Sequence, residues 1–140
     1  MTQKGWDFQR LGNVCNFTLC RNEITLLAEF QYEPEEEHLT LTVRYPDAVP
    51  FKFQHRAEKF TPRVNTHLPI ATATLEDRIL TVVSRLFFKD MDFDAEFVDT
   101  YVLQVAKKAF LATEGIRFIV KNELTAGKSM KAVAGLSEHE

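Results

Sequence analysis

From Glu23 to Tyr32 the chain alternates, setting Ile24, Leu26, Ala28, Phe30 and Tyr32 on one face against Thr25, Leu27, Glu29 and Gln31 on the other. That is the period of a half-buried strand. The alternation returns after the acidic turn Glu33-Pro34-Glu35-Glu36-Glu37, where Leu39, Leu41, Val43 and Tyr45 oppose His38, Thr40, Thr42 and Arg44. The two runs predict an antiparallel hairpin, and Pro46 and Pro50 end it because proline has no N–H to give a ladder. Ahead of them, residues 6–11 and 14–20 flank Gly12-Asn13, a dipeptide suited to the positive φ of a tight turn, and predict a first hairpin. From Phe53 the spacing changes to four, three and four, aligning Phe53, Ala57, Phe60 and Val64 along one stripe of a helix. Pro62 interrupts that stripe, so the helix is expected to kink, or to break with Thr61 capping a second short helix that Pro62 begins.

Residues 70–75 and 79–88 are rich in β-branched and aromatic side chains and predict a third hairpin about Glu76-Asp77-Arg78. Its second strand is apolar on both faces, with Leu80, Val82, Leu86 and Phe88 opposing Ile79, Val83 and Phe87, a pattern typical of strands covered on both sides. Asp94 then reads as the N-cap of a long helix whose stripe runs through Val98, Tyr101, Val102, Val105, Ala106, Ala109 and Phe110 and on past Gly115 to Ile116, Ile119 and Val120. Residues 125–140 hold only Met130, Val133 and Leu136 as larger apolar side chains and are expected to form a mobile tail. Strands joined by short turns give an α+β fold: one domain over residues 1–124, an antiparallel sheet with a mid-chain helix and a long C-terminal helix packed on one face.

Composition agrees with a self-sufficient core. Of the 140 residues, 45% are apolar and 26% charged, and there are 12 phenylalanines. A chain of this size hides roughly 68–70% of its unfolded surface without needing staples. Seventeen Lys and Arg against 20 Asp and Glu give a net charge of −3, with no basic cluster longer than Lys107-Lys108, which argues against a nucleic-acid binder. The opening residues contain no apolar signal-like stretch, and no run approaches the roughly 18 apolar residues that span a bilayer, so a cytoplasmic protein is expected. Cys15 and Cys20, five apart in a strand, should face opposite ways as reduced structural thiols.

Candidate chemistry is sparse. Asp90, Asp92 and Asp94 open like a calcium loop, but Ala95 stands where that loop needs glycine and Tyr101 where it needs a bidentate Glu. His38, His55, His67 and His139 are too dispersed for a local zinc pattern; His55 and His67 could meet only across a bend at Pro62, with Glu58 or Asp77 as company. The five glycines are isolated, which excludes a phosphate loop, and no serine sits on a nucleophile elbow. No catalytic, cofactor-binding or metal residue is therefore assigned. Interface residues are expected instead on the second face of the two-sided strand: Ile79, Thr81, Val83, Arg85 and Phe87, with Arg85 and Thr81 marking it as the outward side.

The stretch Phe60-Thr61-Pro62-Arg63-Val64-Asn65-Thr66-His67-Leu68-Pro69, a helix ending near an asparagine, followed by a β-hairpin and a long helix, resembles the YbjN-like bacterial family and, more distantly, the class I type III secretion chaperones. Val64 stands where the family usually has leucine, and the amphipathic N-terminal helix of the secretion chaperones has no counterpart here. The resemblance implies a non-enzymatic, often dimeric protein that regulates or chaperones another protein through its sheet and apolar grooves. The expected partners are thus a protein or peptide segment and a second copy of the chain, with no nucleic acid, membrane or cofactor. The alternative is a small enzyme or ligand-binding domain with an apolar pocket between sheet and helices, lined by a polar group such as Tyr101, Tyr45 or His67.

Overall fold

A computed structural model describes residues 14–33, 38–87 and 95–138, with the side chain of Phe87 and those of residues 95–98 and 136–138 outside the description. The strands are β1 (Val14–Arg21), β2 (Ile24–Glu33), β3 (His38–Arg44), β4 (Thr72–Glu76) and β5 (Ile79–Phe87); the helices are α1 (Gln54–His67), α2 (Ala95–Asn122) and α3 (Ala126–Glu138). The predicted strand over residues 6–11, its Gly12-Asn13 turn, the acidic turn at 34–37, and the aspartates at 90–94 lie outside the described residues. The five strands form one antiparallel sheet in the order β1-β2-β3-β5-β4, so the α+β class is as expected.

Two-residue turns set the register at both ends of the sheet. Asn22 and Glu23 close β1 on β2, and Asp77 and Arg78 close β4 on β5, each with positive φ. Consecutive positive-φ residues match the right-handed twist of the paired strands. Period two then does the sorting: Ile24, Leu26, Ala28 and Phe30 of β2, Leu39, Leu41 and Val43 of β3, Ala73 of β4 and Leu80 and Val82 of β5 are all buried on the inner face. Phe53, Ala57, Phe60 and Val64 of the predicted helical stripe are buried opposite them.

The helix over residues 54–67 neither breaks nor restarts at Pro62. Proline cannot donate to the carbonyl four residues back, which is that of Glu58. The Thr61 hydroxyl donates to that carbonyl at 3.4 Å, and the buried Thr61 is thereby a substitute donor instead of a cap. Where α1 crosses α2, the Cζ end of the Phe60 ring lies so close to Gly115 that a Cβ there would overlap it.

The expected mobile tail is a third helix. Ala126 and Val133 of α3 are buried, and the Ser129 hydroxyl, fully buried, donates to the Gly115 carbonyl at 2.7 Å. Its packing residues are mostly small, so counting large apolar side chains understated it. Between β3 and α1 the chain is strapped to the second hairpin turn: Val49 N–H donates to the Arg78 carbonyl at 2.8 Å, and the Arg78 guanidinium donates back to the Val49 carbonyl at 2.9 Å while lying 3.8 Å from the Phe51 ring centre.

Candidate functional site

The residues assigned to an interface from sequence all belong to β5, between β3 and β4; Ile79, Thr81, Val83 and Arg85 alternate with the core-facing Leu80, Val82 and Leu86, and the side chain of Phe87 lies outside the description. Cross-strand pairing places Thr42 and Thr72 on either side of Val83, Arg44 and Thr74 on either side of Thr81, and Thr40 beside Arg85. Thr81 is fully buried and its hydroxyl donates to the Ile79 carbonyl at 3.2 Å; Ile79 and Val83 are half-buried and Arg85 is exposed. On the inner face Val82 is buried and Leu86 packs against the core, the division between faces that the alternation predicts. The described part of the far face is thus threonine-rich, and along β5 it is largely enclosed, with only Arg85 exposed among Ile79, Thr81, Val83 and Arg85.

The three polar groups considered for a pocket are not brought together. Tyr101 of α2 stacks on Phe30, ring centres 6.3 Å apart, and donates its hydroxyl to Ser84 Oγ at 2.7 Å inside the core. Burial pushes its phenol pKa up. Tyr45 lines a separate recess of about 200 Å³ with Val49, Ile116 and Val120, and burial, then its hydrogen-bonded neighbour Asp47, raises its pKa. His67 lies at the end of α1 in an open cleft between α1 and α3. The unbroken α1 also holds His55 and His67 about 18 Å apart, at 1.5 Å per residue, which removes the pairing that a bend would have allowed. Among the described residues no cluster of His, Cys, Asp and Glu is placed to hold a metal.

A different feature faces solvent. At the β1 end, the sheet extends past its helical cover, leaving Cys15, Phe17 and Leu19 only half-buried on the inner face. Leu19, Cys20 and Arg21 form one wall of a cleft of about 360 Å³, and Leu103, Ala106, Lys107 and Phe110 of α2 form the other. Leu103, in the first third of the long α2, is 62% exposed. The sequence signal for this cleft was weak: Leu103 falls off the α2 stripe, and an isolated exposed leucine has no pattern of its own. Cys15 and Cys20 are free thiols on opposite faces of β1, as their spacing predicts, and burial raises the pKa of Cys15.

Lys108, next along α2, is missed by composition and motif alike. It is fully buried, and its ammonium donates to the backbone carbonyl of Ala71, just ahead of β4. Desolvation lowers its pKa to about 8. Its place three residues after Val105 and four before Ala112, both fully buried, is the signal that could have exposed it. With Thr113 and Ser129 also fully buried, α2 is enclosed nearly all round in this region.

Among the described residues no helix is long and apolar enough to cross a membrane. No family model, curated protein or solved structure matches the chain.

Proposed function

We propose that the chain is a non-enzymatic, regulatory or chaperone-like protein-binding module that takes an apolar segment of another protein into the cleft between β1 and α2. The single observation that carries this reading is Leu103, held out to solvent above a floor of Leu19, Ala106 and Phe110. Apolar side chains gathered in a concave site gain by being covered, and partner segments anchor in such places through a few large residues. The free thiols fit a reducing compartment, in keeping with a cytoplasmic protein. Self-association as a dimer is assigned to the far sheet face around Val83, where Ile79 and Arg85 complete a mixed apolar and polar surface of the kind common in non-obligate interfaces.

The test is affinity purification of the tagged chain beside its Leu103→Asp variant, after circular dichroism has shown both to be folded. A protein recovered with the parent chain and lost with the variant is the expected result. Identical recoveries would overturn the cleft reading. For the dimer, sedimentation of the parent chain and Val83→Glu at micromolar concentration should show a dimer that the substitution dissociates; a monomeric parent removes that element of the proposal.

A further inference from the structure

Given the reading above, on which this step rests, we infer that the segment taken into the β1–α2 cleft is apolar with carboxylate flanks, a stretch of large aliphatic or aromatic side chains bordered by Asp or Glu. The lining has an apolar floor, Leu19, Ala106 and Phe110, and an apolar rim at Leu103. Among the described residues that line it, the charged groups are cations, Arg21 on the β1 wall and Lys107 on the α2 wall, with no carboxylate beside them. This is a local reversal of sign in a chain of net charge −3. The overall negative charge is screened beyond a Debye length of about 8 Å at physiological salt, whereas a flank seated in the cleft meets the cations at contact distance. Arg21 already has an interaction of its own, so Lys107 is the cation on which the preference chiefly depends. An acidic flank gains at Lys107, and a basic flank would set like charges together there, so one residue supplies both attraction and rejection. A polynucleotide would also answer the cations, but among the described residues the lining offers it mostly aliphatic surface and, as a ring to stack on, the largely buried Phe110.

Fluorescence anisotropy on the full chain separates these occupants. The probes are three short synthetic peptides with one shared alternating leucine core, flanked by glutamate, glutamine or lysine, with an oligothymidylate as competitor. The glutamate peptide should bind about threefold more tightly than the glutamine peptide, an advantage of the size expected of an exposed ion pair, and the gap should close as salt is added. Lys107→Glu should reverse the order in favour of the lysine peptide, and Leu103→Asp should weaken all three. Equal affinity for all three peptides would overturn the charge preference and leave the cleft reading standing. Binding by none of them, or binding indifferent to Leu103→Asp, would overturn both. Displacement by the oligothymidylate would make a nucleic acid the occupant and end the proposal.

Discussion

The Asn65 side-chain amide closes the outer edge of β4 by pairing with Ala73 twice: its Oδ1 accepts from the Ala73 N–H at 2.7 Å and its Nδ2 donates to the Ala73 carbonyl at 3.0 Å. One side chain thereby stands in for a neighbouring strand at an edge that would otherwise offer unpaired backbone. Asn65→Ala should cost about 1–3 kcal/mol, because both backbone groups lose their partner in a part-buried place. Urea unfolding measures the loss. Asn65→Asp, which keeps the acceptor and removes the donor, should fall between, and an Asn65→Ala protein as stable as the parent would show the pairing to be incidental.

The buried lysine predicts an unusual pH dependence. A lysine moved from 10.5 to about 8 costs on the order of 3 kcal/mol while it stays charged in the folded state. The unfolded chain binds the proton more tightly between those two values, so stability rises with pH from about 8 upward. Tyr45 and Tyr101, whose folded-state pKa values are raised, oppose this only above their ordinary value of 10. Lys108→Met should gain about 1–3 kcal/mol near neutrality and flatten the rise between pH 8 and 10. A parent protein whose stability is level across that window would contradict the placement of the ammonium.

Glycine in a helix interior is ordinarily worth replacing, since alanine gains roughly 0.5–1 kcal/mol. At Gly115 the opposite is expected. The Phe60 ring occupies the space of the added methyl group, so Gly115→Ala should lose about 1–3 kcal/mol through overpacking. With Phe60→Leu already in place, the same change should become neutral or favourable. A double-mutant cycle by thermal unfolding checks this, and additive losses would exclude a direct clash.

How much of this could be read beforehand follows the strength of each periodic signal. The β2, β3 and α1 faces were plain because large side chains repeat on them, Phe30, Leu41 and Phe60 among them. The α3 helix was obscured because it docks through Ala126, Ser129 and Val133, and Pro62 misled because a hydroxyl next to it supplies the donor that it lacks. Lys108 and the cleft at Leu103 depend on which elements meet, a property of tertiary packing that no local window contains.

Removing α3 should therefore be costly. Truncation after Thr125 uncovers the face of α1 and α2 on which α3 lies and strips the Gly115 carbonyl of the Ser129 hydroxyl. A loss of about 2–4 kcal/mol is expected, from the buried Val133, the partly buried Met130 and the lost Ser129 hydrogen bond. Chemical denaturation of the shortened chain decides, and an unchanged midpoint would show α3 to be detachable.

The strand order carries a consequence for how the chain assembles. β1, β2 and β3 each pair with their neighbour in sequence, as do β4 and β5, so both groups can close early through short loops. They join along one seam, where Arg44 meets Thr81 and His38 meets Phe87, and closing it means bringing together strands that the whole of α1 and β4 separate in the chain. Two quickly made halves waiting on one distant join place the folding barrier between β3 and β5. Substitutions at Leu41 or Val82 should then slow folding, while those at the Asn22 or Asp77 turns mainly alter how well each half holds together before they meet.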